Sequence, residues 1–156
     1  MYYDEIAAGY DKLYEEEQLK KLQVISQYLK PRGCLLDVGA GSGVASRFFA
    51  GQCQVIAVDP SFHLVKQFAG LKVVARAEVL PFRSKTFDIV LSVTALHHAD
   101  FKKSLKEIKR VAKSDAQIII SFLKKGKNVP DRLRGFKKVD NGKDWLFIRK
   151  FPLLFP

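Results

Sequence analysis

Asp37 sits in an apolar, β-prone run, Leu35-Leu36-Asp37-Val38, and Gly39, Gly41 and Gly43 follow it at alternate positions. A helix-compatible stretch from Val44 to Ala50 comes next. The pattern is a strand, a tight glycine turn and a helix start. Glycine admits positive φ, and its missing Cβ lets a ligand approach the backbone closely. N–H groups at a helix start favour electron-rich ligand atoms. The segment therefore reads as a cofactor loop of nucleotide type. The dinucleotide fingerprint G-x-G-x-x-G needs a third glycine where Val44 stands, and no G-x-x-x-x-G-K-[ST] loop occurs. Asp37 would repel a pyrophosphate but could help hold an ammonium. A cofactor with a cationic amino-acid portion and an adenosine fits better than NAD.

LLDVGAGSG resembles motif I of the class I S-adenosylmethionine (SAM)-dependent methyltransferases. Three further segments agree in order and spacing. Val55 to Ser61, containing Asp59 and Pro60, is similar to that family's second strand and the acidic residue closing it. Ala75 to Phe82, with Ala77 and Glu78, followed by Phe87 to Ser92, resembles the adenine-side loop and fourth strand. Leu105 to Val111 resembles the helix before the fifth strand. Tyr3-Asp4 and Tyr10-Asp11 are similar to the N-terminal lid of the quinone-biosynthesis branch.

The resemblance implies SAM as cofactor and S-adenosylhomocysteine as product. It implies that Gly39, Ala40, Gly41 and Gly43 contact the methionine portion and that Asp37 bonds its amino group. Asp59, next to Pro60, would accept both ribose hydroxyls, a carboxylate having the acceptor oxygens this needs. Ala77 and Glu78 would border the adenine, Ser92 would lie at the end of the fourth strand, and Tyr10 would reach in from the lid. Relatives often carry an aspartate where Arg76 stands, which leaves the adenine to backbone or Glu78 contacts. His97 and His98 follow the fourth strand, where an acceptor approaches, and imidazole is a suitable proton acceptor near neutrality. No metal site is expected: Cys34 and Cys53 form no C-x-x-C pair and read as core thiols.

These residues need a scaffold that brings strand ends together. Apolar periodicity predicts a helix over residues 13–29, stopped by Pro31 and Gly33. Strands are expected over 34–38, 53–58, 71–75, 87–92 and 117–123. Helices are expected over 43–50, 62–69 (capped by Ser61) and 101–113 (capped by Asp100). Residues 76–85 are too few for a crossover helix. Ser114-Asp115-Ala116 is expected to turn, and Pro130 to Leu133 to form one helical turn. The strands 135–139 and 144–150 flank an Asn141-Gly142 hairpin. The alternation implies an α/β, doubly wound sheet, and ligands bind such sheets beyond the strands' carboxyl ends. The resemblance supplies a seven-stranded order 3-2-1-4-5-7-6 with strand 7 antiparallel, in a three-layer α/β/α Rossmann-like fold. One domain over 1–156 is expected: lid and helix at 1–30, cofactor-binding core at 31–123 and C-terminal hairpin at 124–156.

The formal net charge is +11. Residues 1–100 balance 11 basic against 11 acidic side chains, whereas residues 101–156 hold 16 and 5. Such one-sided charge raises RNA as a partner, against the plainer reading of a solvated lysine-rich surface. The leading expectation is methyl transfer to a small-molecule acceptor. The alternatives are an RNA (tRNA or rRNA) or translation-protein acceptor, with a partner subunit completing the site, and a non-catalytic SAM- or RNA-binding module. No apolar run is long enough to span a membrane, and the acidic N-terminus does not resemble a leader, so a cytoplasmic location is expected. The apolar residues 151–156 could form an interface, as in a homodimer.

Overall fold

The computed structural model describes the backbone of residues 2–149 and the side chains from residue 12 onward. The expected contact of the Tyr10 side chain, and the interface expected of residues 151–156, lie outside the described residues.

The elements run α1 (Tyr2–Ser26), β1 (Cys34–Val38), α2 (Val44–Phe49), β2 (Gln54–Asp59), α3 (Phe62–Val65), β3 (Leu71–Val74), β4 (Phe87–Val93), a 3-10 turn (Leu96–His98), α4 (Phe101–Val111), β5 (Ala112–Leu123), β6 (Lys137–Asn141) and β7 (Asp144–Arg149). The seven strands form one sheet in the order β3-β2-β1-β4-β5-β7-β6. β1 to β5 pair in parallel and β7 runs antiparallel to both its neighbours. The order and the reversed strand are those the resemblance implied. No helix among the described residues is long and apolar enough to cross a membrane.

Two cores result because alternate side chains of a strand point to opposite faces. On one face, Leu22, Ile25 and Leu29 of the N-terminal segment and Phe49 of α2 pack on Leu35, Ile89 and Ile119. On the other, Ile108 and Val111 of α4 pack on Leu36, Val90, Ile118, Phe122 and Phe147. Ser92 sits beneath this packing and its hydroxyl donates to the Val38 carbonyl at 3.0 Å, joining β4 to β1.

Local differences from the sequence expectation have physical causes. α1 extends to residue 2 and ends at Ser26 rather than 29. α3 stops at Val65 because Gln67 and Phe68 close with tighter i to i−3 bonds onto Leu64 and Val65. This turns Phe68 inward, against Gly43 and Gly70, where a Cβ would crowd its ring. Residues 114–116 do not turn: α4 passes directly into β5. Between Phe87 and Ile89 β4 advances two residues while β5 advances five, from Ala112 to Gln117, an irregular bulge. Pro130 to Leu133 is irregular rather than helical. The hairpin turn is Gly142-Lys143, with Asn141 already paired to Asp144. Gly142 has φ 70°, so glycine occupies the first turn position, which suits a II′ geometry.

Two ion pairs join α1 to this hairpin. Lys21 Nζ lies 2.6 Å from Asp144 Oδ2, off the angle of an aligned hydrogen bond, with the carboxylate fully buried and the lysine 12% exposed. Lys143 meets Glu17 at 3.2 Å in solvent. Removing one partner of a buried pair strands the other charge, at about 3–5 kcal/mol. Lys21→Ala should therefore lower the urea unfolding free energy by about that amount, whereas Lys143→Ala should change it by less than about 1 kcal/mol.

Candidate active site

The glycine loop leaves the carboxyl end of β1 and doubles back to the end of β2. The N–H groups of Gly39 and Ala40 both donate to the Val58 carbonyl, at 2.8 and 2.9 Å. Gly41 N–H donates to Asp59 Oδ2 at 2.9 Å, and Ser61 N–H to Asp59 Oδ1 at 2.8 Å. These loop amides are therefore committed to protein partners rather than turned to a ligand. Gly39, Gly41 and Gly43 have φ of 73°, 56° and 90°, open to glycine at no steric cost. At Gly39 a second reason applies, since a Cβ would collide with that of Ala95.

Two cavities border this loop, and a third adjoins them at Thr94. The first, about 320 Å³, is bounded by Gly39, Asp59, Pro60, residues 75–78, residues 94–96, His98 and Ala99. The second, about 100 Å³, lies between Asp37, the glycine loop and Tyr14 and Gln18 of α1. The third, about 540 Å³, opens between α1 and the β6–β7 turn, with Leu123, Asn141 and Lys143 in its wall. Thr94 borders all three. Its φ of 49° is unusual for a β-branched residue. Its N–H is held by both the carbonyl and the hydroxyl of Ser121, at 3.1 and 2.9 Å.

Asp37 is 1% exposed and accepts a 2.7 Å bond from the Ser46 hydroxyl. Burial pushes its carboxyl up to about 6, against the lowering effect of Ser46, and the charge of Asp59 adds to the rise. Asp59, 7% exposed, keeps lone pairs beyond its two backbone bonds and faces the first cavity. Glu78 pairs with Arg76 at 2.8 Å on the same wall, Arg76 reaching into solvent.

The expected site residues divide. Gly39, Asp59, Pro60, Ala77, Glu78 and His98 come together around the first cavity, and Asp37, Ala40 and Gly41 around the second. Gly43 instead precedes α2 and abuts Phe68. Ser92 lines none of the three cavities, since its hydroxyl is spent on Val38. His97 does not face the first cavity with His98. Its Nε2 accepts from Leu123 N–H at 3.2 Å, its ring packs edge-on to Phe122 and its Nδ1 is buried. It is a packing residue, a correction to its candidacy as a base. Tyr14, Gln18, Thr94 and Ala95 are lining residues that the sequence did not single out. Tyr14 follows Tyr10 by one helical turn, a spacing that places both on one face of α1.

A family model described as a methyltransferase domain matches residues 36–120. The chain belongs to this methyltransferase family. Among curated relatives, the uncharacterized protein MJ1252 of Methanocaldococcus jannaschii is 33% identical over 127 residues, covering 77% of this chain and 49% of that protein. The uncharacterised methyltransferase YcgJ of Bacillus subtilis is 31% identical over 122 residues, covering 70% and 48%. The crystal structure of YcgJ superposes with a TM-score of 0.61 at 26% identity, over 69% of this chain and 51% of that one. PH0226 of Pyrococcus horikoshii shares the fold, with a TM-score of 0.71 at 18% identity over 88% and 91%. The chain thus spans about half the length of these two curated relatives.

Asp37 provides a stability test. Its folded pKa lies above the unfolded one, so ionisation costs stability as pH rises from about 4 to about 6. Asp37→Asn keeps an acceptor for Ser46 but cannot ionise. Its unfolding free energy relative to the parent should therefore rise between pH 4 and pH 7, by on the order of 2–3 kcal/mol in urea titrations.

Proposed function

We propose that the protein binds SAM across the first two cavities and transfers its methyl group to an acceptor entering through the third. The observation carrying this is the placing of two buried carboxylates, Asp59 and Asp37, in adjoining cavities on either side of Gly39. The fit is chemical. The first cavity has Asp59 for a diol, with Ala75, Ala77, Leu96 and Ala99 as a mostly apolar wall for a purine. The second has Asp37 for an ammonium, with Tyr14 and Gln18 opposite. When bound, SAM supplies a methyl group already activated on a sulfonium, so the chain's task is positioning and exclusion of water.

In this reading the glycine loop is preset by Val58 and Asp59, so little ordering is needed when ligand arrives. Thr94, common to all three cavities, stands between the cofactor and the acceptor. His98 is exposed at the first cavity and does not line the third, so in this reading it borders the cofactor rather than the acceptor. The third cavity is large enough for a small molecule or a single unstacked base.

Isothermal titration of the purified chain with SAM and S-adenosylhomocysteine tests the reading. Asp59→Ala removes both the diol acceptor and the anchor of Gly41, and should weaken binding at least about 100-fold. Protonating Asp37 removes the countercharge to the ammonium, so affinity for SAM should drop about tenfold from pH 7.5 to pH 5. Absence of binding by either ligand overturns the reading. Binding without label transfer from methyl-labelled SAM to any extract fraction leaves a non-catalytic module.

A further inference from the structure

We propose that the face built from residues 124–143 is an RNA-binding surface that leads an unpaired nucleotide to the mouth of the third cavity. The proposal deepens the function above and rests on it for the role of that cavity as the acceptor's entrance. Residues 124–143 carry eight basic side chains against two acidic ones. Among the described residues, the exposed side chains of Lys125, Lys127, Arg132 and Arg134 enter no ion pair or hydrogen bond. Cations without an internal partner are available to phosphates, and arginine's planar fork suits them especially.

The face is contiguous with the cavity and held in shape. Lys124 N–H donates to the Lys143 carbonyl at 2.9 Å, at the cavity rim. Lys124 and Lys138 cover the Trp145 ring at 4.5 and 4.3 Å. Lys138 then reaches the Asp131 carbonyl at 3.0 Å, and Lys109 of α4 lies over Phe136 at 5.7 Å. A track of positive charge thus runs from Lys143 along the loop to α4. Lysine on the edge strand β6 also discourages strand pairing, but the loop cations lie outside any strand.

RNA fits this surface better than the alternatives. A membrane needs apolar side chains beside the charge. The exposed large apolar residues described lie on α1, α3, β3 and at Val79, and only Tyr14 and Leu123 of them line the cavity, none of them on the loop that carries the charge. Duplex DNA would have to unstack a base before one could enter the cavity, whereas RNA loops present unpaired bases.

The test uses fluorescence anisotropy of the whole chain with a labelled RNA stem-loop, a matched DNA duplex and anionic phosphatidylserine vesicles. Binding to the stem-loop should weaken roughly 100- to 1,000-fold between 50 and 200 mM salt, as expected for about six phosphate contacts. The triple variant Lys125→Glu, Arg132→Glu, Arg134→Glu should lose at least about 100-fold, while Lys12→Glu, Lys66→Glu, Lys72→Glu, with the same change in net charge, should lose less than tenfold. Unchanged SAM titration in both variants shows that they fold. Salt-insensitive or absent RNA binding, equal losses in the two triples, equal affinity for duplex DNA, or preference for vesicles each overturns the proposal. Failure of SAM to bind the parent chain overturns the enzyme reading and leaves the RNA result to be judged by its own arms.

Discussion

The short connection between the ends of β1 and β2 governs the site. Val58 offers one carbonyl to two successive amides, and Asp59 offers its two carboxylate oxygens to Gly41 and Ser61. A charged acceptor gives hydrogen bonds stronger than neutral ones. The loop is therefore fixed with three glycines at positive φ, and cavities open on both sides of it. The same carboxylate lies close enough to Asp37 to raise its affinity for a proton. Organisation of the loop and electrostatic tension in the site have one source.

The parts of the fold that were legible in the sequence are those in which local chemistry and tertiary packing agree. The glycine spacing, the Asp100 and Ser61 caps and the apolar strands all recur in the structure. The sheet order came from the resemblance rather than from periodicity. The errors fall where packing overrides local preference. Phe68 abandons a helix to fill space beside two glycines, and Ser114-Asp115 has turn-forming side chains but is drawn into a bulged strand. Asp115 there meets Arg32 across the sheet end, a partner 83 residues away.

The site was legible at its acidic and glycine positions, whose chemistry is distinctive. It was less so where one residue type serves two purposes. His97 and His98 are adjacent and alike in sequence, but only the fold shows that one accepts from a strand amide and the other faces a cavity. Ser92 sits at a strand end, as a ligand contact would, but holds two strands together. Thr94 gives no sequence signal, because threonine favours extended backbone and its positive φ is imposed by Ser121.

Thr94 forms a wall common to three compartments, in a backbone state that costs on the order of 1–3 kcal/mol. Any occupant that relaxes or tightens this residue changes the boundary presented to the others. The compartments are therefore thermodynamically linked: whatever factor one guest imposes on its neighbour's affinity, the neighbour returns in equal measure.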